Sequence, residues 1–218
     1  MKTKYVVGFF LILGLGIFLW ENTFPKQIDK DIPAVLSIAD EPDRGTESSS
    51  EAMSYTSEPT MIHVKGGVYR RLFRTPKFKV EITVDAFPGM KDHEITYPYI
   101  LFDKDAPSKD GPYMGVVGYK NSEPGAAPEN KSKLVTVWFE EDFDNVHILA
   151  SAGEWMEDKP GDFRRMFVTG KADNAEQAQE VLTRMREKFS LTIKGENRQN
   201  YATVPGPDLP LGEEKVEE

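Results

Sequence analysis

Strict alternation in one nine-residue run constrains the fold of this 218-residue chain more than any other feature. In FKVEITVDA, residues 78–86, apolar and polar side chains alternate without exception. A β-strand sends successive side chains to opposite faces, so this run predicts a strand with one buried and one wet face. Similar β-like runs are VYRRLFR (68–74), EITYPYILF (94–102), YMGVVGYK (113–120), KLVTVWFE (133–140), NVHILAS (145–151) and FRRMFVTG (163–170).

The segments between these runs are short and rich in turn-forming residues, and none contains a crossover helix. Consecutive strands joined in this way pair antiparallel. The run DNAEQAQEVLTRMREKF, residues 173–189, predicts one amphipathic helix, with Asp173 as its cap and Glu176 completing a capping box. LTIK, residues 191–194, is interpreted as a last short strand.

Together these patterns predict an α+β, mainly β fold. We expect an antiparallel meander sheet of six to eight strands, sandwich-like or barrel-like, packed with one C-terminal amphipathic helix. One N-terminal transmembrane helix is expected to precede it.

The apolar N-terminal run predicts this membrane helix. From Tyr5 to Trp20 no residue is charged, and as a helix the run would cover about 24 Å of a roughly 30 Å hydrocarbon core. The nearest small-residue cleavage pattern, residues 37–39, lies far beyond the run. Residues 5–20 are therefore predicted to be an uncleaved anchor, with a cleaved signal peptide as the alternative.

The charges that flank this run predict its orientation. Lys2 and Lys4 precede it, so residues 1–4 are expected in the cytoplasm and the rest of the chain outside the cell membrane, as a single-pass protein. The chain has no cysteine, which excludes thiol catalysis, zinc–thiolate sites and disulfides.

Composition divides the part outside the membrane into three regions. Residues 40–59 are acidic and hold few apolar side chains, and together with residues 21–39 they are predicted to form a disordered linker at 21–60. Residues 201–218 are proline-rich and then acidic, so we predict a disordered tail. The β-rich domain is predicted at residues 61–200. It holds 21 basic and 22 acidic side chains, and this near neutrality gives no reason to expect a nucleic-acid partner.

The strongest catalytic hypothesis concerns His147. It alternates with Val146 and Ile148, so it points to the opposite face of its strand, and the acidic run EEDFD lies just before it. A histidine oriented by a carboxylate can act as a base, which makes Glu140, Glu141 and His147 the candidate catalytic residues. The alternative is a solvent-facing histidine after an acidic turn.

No residue pattern predicts a metal site or a cofactor, since the three histidines are too far apart for a local metal motif. Two function classes stay open. The first is a membrane-anchored binding, interaction or structural module of the cell envelope, with an envelope protein or glycan as partner. The alternative is an extracytoplasmic hydrolase that uses paired carboxylates, drawn from Glu140, Glu141, Asp142, Glu154 and Asp162.

Overall fold

A computed structural model describes residues 24–39, 55–71, 74–90, 94–96, 98–100, 113–120, 132–155, 164–193 and 204–207, together with positions 6, 7, 9, 10, 12–14 and 16. The described part of the chain is mainly β, as predicted. Its strands are β1 (Lys26–Ala39), β2 (Tyr55–Arg71), β3 (Arg74–Val84), β4 (Glu94–Ile95), β5 (Tyr99–Ile100), β6 (Tyr113–Lys120), β7 (Ser132–Phe139), β8 (Val146–Ser151) and β9 (Arg165–Gly170).

All strand pairs are antiparallel, and they follow the order β3-β2-β1-β9-β8-β7-β6-β4, with β5 also paired to β6. The chain therefore runs as a meander whose first and last strands, β1 and β9, pair with each other. This pairing curls the sheet into a nearly closed barrel, with β3 and β4 at the two ends of the path.

Side chains bridge the opening between these two ends. The Tyr119 hydroxyl on β6 donates a hydrogen bond of 2.7 Å to the Ile82 carbonyl on β3. The Phe78 ring of β3 contacts the rings of Tyr113 on β6 and Phe139 on β7, each with centroids 4.9 Å apart. These contacts join β3 to β6 and β7 across the interior. Burial raises the pKa of Tyr119.

The barrel interior is filled by apolar side chains that alternate along the strands. In FKVEITVDA the prediction is confirmed, because Phe78, Val80, Ile82 and Val84 are buried in the core while Glu81 is exposed. The predicted strand EITYPYILF is instead divided into β4 and β5. Pro98 lies between them, and proline lacks the N–H that a continuous strand would donate.

The predicted linker at residues 21–60 requires a correction, because β1 and the start of β2 lie within it. β1 pairs with β2 along its whole length and with β9 from Ala34 onward. Residues 34–39 are buried: Ala34, Leu36 and Ile38 lie in the barrel core, and Val35 packs with Ala172 and Ala178 on the outer side. The domain therefore begins well before residue 61, while residues 40–54 of the predicted linker lie outside the described residues.

Two helical elements follow β8. A single turn, α1 (Ala152–Trp155), comes directly after it, and the C-terminal helix, α2 (Ala175–Ile193), follows β9. The predicted amphipathic stripe is buried at Ala178, Val181, Leu182 and Met185. It packs on the outer surface of the barrel, against β9, β1 and Trp138 of β7.

The ends of α2 differ from the prediction. Asn174, rather than Asp173, caps the helix, since its Oδ1 accepts a hydrogen bond of 3.0 Å from the Gln177 amide. At the other end the helix continues to Ile193, so the predicted strand at residues 191–194 is wrong. In the predicted disordered tail, residues 204–207 pack on the protein, with Val204 and Pro207 buried, which corrects that prediction for these four positions.

At the N-terminus the described positions between 6 and 16 are helical. Among the residues that the structure describes, no helix has both the length and the apolar character needed to cross a membrane. Much of the predicted anchor at residues 5–20, and all of residues 1–4, lie outside the described residues.

Candidate functional site

His147 lies on β8 with its side chain on the outside of the barrel wall, opposite to the core residues Val146 and Ile148. This is the face that the sequence predicts, but the side chain is 0% exposed rather than facing solvent. Its Nδ1 is 3.0 Å from the Thr169 hydroxyl on β9. Two rings flank it, Phe167 at 5.9 Å and Trp138 at 5.8 Å between centroids.

Burial lowers the pKa of His147 to about 3. The Pro205 backbone carbonyl opposes this effect and the Arg186 charge adds to it. The Nε2 atom of the ring is buried and makes no hydrogen bond that meets normal distance and angle limits. His147 is therefore a neutral interior side chain near pH 7, and in this conformation it has no path to a substrate in solution.

The two candidate glutamates lie in the turn between β7 and β8 and make structural ion pairs. Glu140 contacts the Lys188 ammonium of α2, and it accepts a hydrogen bond of 2.7 Å from Asn145. Glu141 accepts a hydrogen bond of 2.7 Å from Arg70 Nε on β2. Glu140 thus connects the turn to α2, and Glu141 connects it to β2.

The structure does not join the three predicted residues into one catalytic group. Among the described residues, no hydrogen bond or ion pair links His147 to Glu140 or Glu141. Of the other acids in the hydrolase hypothesis, Asp142 accepts the Asp144 amide at 3.0 Å within the turn. Asp162 and the Glu154 side chain lie outside the described part of the structure.

A second histidine, His63, forms a polar cluster on the outer face of β1, β2 and β3. Its Nδ1 is 2.6 Å from Asp31 Oδ1 on β1, and its Nε2 is 3.1 Å from Asp85 Oδ1, just beyond the end of β3. The hydrogen bond to Asp31 raises the pKa of His63, burial partly opposes it, and Asp85 raises it further. The cluster therefore favours an imidazolium held between two carboxylates.

Sheet register extends this polar face along the three strands. One row away from His63, Lys65 on β2 stands between Asp29 on β1 and Glu81 on β3. Further along, the Lys79 ammonium lies 5.2 Å from the Tyr69 ring centroid. Charges of opposite sign thus alternate across the face, which we call the β1–β3 face and define as the outward side chains of residues 29–33, 61–69 and 77–85.

The chemistry of this cluster is that of charge pairing rather than proton transfer. Both ring nitrogens of His63 are occupied by carboxylates, so neither is available to take a proton from the hydroxyl of its cross-strand neighbour Thr83. Across the described ranges of the chain, no group of three or more His, Asp or Glu side chains is arranged to hold a metal ion.

The sequence contained one signal for this cluster. His63 and Asp85 each occupy the polar phase of an alternating run, whereas Asp31 lies among three consecutive charges at residues 29–31, within the segment that the sequence predicts as linker. Without β1 the histidine has no neighbour on that side, so the cluster was missed. Comparison with protein-family models, with curated proteins and with solved structures found no match for this chain.

Proposed function

We propose that the chain is a membrane-anchored, extracytoplasmic binding module of the cell envelope, and that its partner docks on the β1–β3 face. The observation that carries this proposal is the fixed orientation of His63 between Asp31 and Asp85 on an outward-facing part of the sheet. Polar side chains that are held in place before binding lose little conformational freedom when a partner docks.

The filled barrel interior also supports a binding role for the outer surface. Aromatic side chains pack the core, including stacked rings of Phe139 and Phe143 with centroids 4.6 Å apart. Recognition by the described residues therefore has to use the outside of the barrel. α2 packs on β1, β9 and Trp138 of β7, and its contacts leave the outward side chains of β2 and β3 available.

The hydrolase alternative has less support. A catalytic carboxylate pair needs a general acid or base that can reach the substrate. Glu140 and Glu141 are instead used in ion pairs with Lys188 and Arg70, and His147 is fully buried. In this arrangement the three side chains contribute to stability.

The membrane anchor is supported by the N-terminal helical positions. The large apolar side chains described there are 47–73% exposed, and they are Val6, Val7, Phe9, Phe10, Ile12 and Leu13. Such a concentration of exposed apolar side chains is unusual unless it is buried by something else, and lipid is the partner that a run flanked by Lys2 and Lys4 would suit.

The β1–β3 face favours a polar partner. Its acids, Asp29, Asp31, Glu81 and Asp85, alternate with Lys65 and His63, so binding would depend on charge complementarity and hydrogen bonds more than on apolar contact. An envelope protein or a glycan, the partners expected from the sequence, has this chemistry.

The test is affinity capture by the full-length protein from solubilised membranes. An Asp31→Asn, Asp85→Asn double variant keeps the size of both side chains but removes their charge, so it should lose the captured partner. The matched control, Glu180→Gln, changes one charge on the exposed surface of α2 and should capture as the wild type does. Equal capture by all three proteins would refute the proposed surface. Hydrolysis of glycan, peptide or ester substrates that is lost in Glu140→Gln would favour the alternative.

A further inference from the structure

The connection between the proposed anchor and the barrel is short. Because β1 begins at Lys26, only residues 21–25 separate it from Trp20, the last residue of the anchor. A fully extended chain covers at most about 3.5 Å per residue, so Lys26 lies within about 20 Å of that end of the anchor. The linker predicted at residues 21–60 would have given the domain a far longer reach.

The register of β1 and β2 shows which end of the barrel this connection reaches. Lys26 pairs with Val68 of β2. A Cβ built on Gly67 would lie 3.4 Å from Pro25 Cβ, so the chain before β1 runs beside β2. Since the two strands are antiparallel, this chain leads toward the last residue of β2, Arg71, which lies about 10 Å beyond Val68. The proposed anchor therefore places the membrane at this end of the barrel.

This end of the barrel is basic. We call it the hairpin end and define it as the described residues of the stretches 24–28 and 68–78. In sequence these two stretches hold five basic residues and no acidic residue, the basic ones being Lys26, Arg70, Arg71, Arg74 and Lys77. Arg71 and Arg74 are the last paired positions of β2 and β3, so the sheet brings them side by side at the extreme end.

The protein neutralises only part of this charge. Arg70 forms an ion pair with Glu141 of the turn between β7 and β8. The side chains of Lys26 and Lys77 are exposed, and neither takes part in an ion pair with another residue of the described ranges. The other acids of that turn are engaged within the domain, namely Glu140, Asp142 and Asp144. The hairpin end thus presents positive charge to its surroundings.

A phospholipid surface has the complementary chemistry. Each Lys or Arg close to an anionic membrane strengthens binding about fivefold. Phe24, in the connection to the anchor, is 54% exposed, and an aromatic side chain at that place gains by entering the headgroup region. The positive charge and the exposed aromatic ring both lie on the side of the barrel from which the anchor leads.

From this geometry we infer that the hairpin end docks on anionic phospholipid headgroups of the membrane that holds residues 5–20. The inference rests on the anchor in the proposed function and adds to it the orientation of the barrel. Docking directs the opposite end, where β2 begins at Tyr55, away from the bilayer. His63 then lies on the side of the barrel, about 25 Å from Arg71 along β2, within reach of a partner in the same membrane.

The test uses the full-length protein in lipid nanodiscs, with a fluorophore on one introduced cysteine. The chain has no cysteine of its own, so each variant carries a single label. Gln27→Cys places the label in the hairpin end, and Glu58→Cys places it at an exposed position about 30 Å away along the strands. Lipids with a nitroxide headgroup should quench the label at position 27 strongly in discs that contain phosphatidylglycerol, and much less in discs of phosphatidylcholine alone. The label at position 58 should be quenched little in either.

Charge reversal tests whether the basic side chains are responsible. In the protein labelled at position 27, Lys26→Glu with Lys77→Glu should shift the docking equilibrium about 25-fold or more toward the undocked state. Quenching in the anionic discs should then fall to the level in the neutral discs. The matched control, Lys120→Glu with Arg165→Glu, reverses two exposed charges at the opposite end of the barrel and should leave the quenching unchanged. Circular dichroism checks that both double variants are folded.

The outcomes separate this inference from the proposed function. Failure of the full-length protein to enter the discs would refute the anchor and the orientation that rests on it. Entry into the discs with equal quenching at positions 27 and 58 would overturn the inference and leave the anchor standing. The same quenching in both kinds of disc, or in both double variants, would also overturn it alone.

Discussion

Acid should destabilise the barrel through His147. Burial lowers the pKa of this side chain from 6.5 to about 3 in the folded protein. Between these values the unfolded chain binds one proton more than the folded chain, so the free energy of unfolding falls as the pH falls. The loss is about 1.4 kcal/mol per pH unit. From pH 7.5 to pH 5 it should therefore reach about 2 kcal/mol.

Urea unfolding of the wild type and of His147→Gln at pH 7.5 and pH 5 isolates this effect, because every other titrating group is common to both proteins. The variant should be less stable at pH 7.5, since glutamine does not fill the space between Phe167 and Trp138. Its deficit should shrink by about 2 kcal/mol at pH 5. A deficit that is the same at both pH values would show that His147 titrates in the folded protein as it does in the unfolded chain, and the reasoning from burial would be wrong.

His63 provides a control of opposite sign. Its pKa is raised in the folded protein, so its contribution to stability is fully present below pH 6.5 and is lost as the pH rises through the raised value. His63→Gln should therefore cost more stability at pH 6 than at pH 8.5. A cost that grew with pH instead would contradict the paired arrangement with Asp31 and Asp85.

Three further predictions concern packing, domain limits and the anchor. Leu182→Ala should lower the free energy of unfolding by about 2 to 5 kcal/mol, the range for a buried leucine. Glu180→Ala, on the exposed side of α2, should lower it by about 0.5 kcal/mol or less. Equal small losses in urea titrations would mean that α2 does not close the outer apolar cluster. A chain that starts at residue 24 should unfold cooperatively on heating. A chain that starts at residue 60 should not, because it lacks β1 and therefore the pairing of β1 with β2 and with β9. Cooperative melting of the shorter chain would show that β1 is dispensable. The full-length protein should stay with membranes through carbonate washes and be released when residues 5–20 are deleted, and release of the intact protein would refute the anchor.

The sequence predicted the strands whose apolar period is clean and that have polar residues at their ends. β3, β6, β7, β8 and β9 lie within a residue or a few of the predicted runs. The sequence does not predict β1, because its residue pattern differs from that of the other strands. Its first half carries three consecutive charges at residues 29–31 and then Pro33, and its second half is apolar except for Ser37 and does not alternate.

The missing pattern in β1 has a physical cause. Pro33 lies just before the pairing with β9 begins at Ala34, a position where a strand tolerates a residue without an N–H. After Ala34 the outer face is covered as well as the inner one, since Val35 packs on Ala178 of α2 and on Ala172 just before it, so no polar period is needed there. That double burial depends on where the last strand and the helix dock, which a local pattern does not contain.

The same limit applies to the two histidines. Alternation predicted correctly that His147 and the core residues Val146 and Ile148 lie on opposite faces, but the environment of that face depends on α2 and residues 204–207. The position of His63 is set by β2 alone. The polar cluster around it also needs Asp31 from β1 and Asp85 after β3. The alternation of side chains along each strand thus predicts which face a residue lies on. The residues that pack against that face come from distant parts of the chain.

Site-specific photo-cross-linking in native membranes tests the proposed binding module most directly. A photoreactive residue at Thr83, in the row of His63 on the β1–β3 face, is compared with one at Glu180 on the exposed surface of α2. We expect a discrete cross-linked partner from position 83, its loss when Asp31 and Asp85 are both changed to asparagine, and no such product from position 180. The same products from both positions, or none from position 83, would contradict the account.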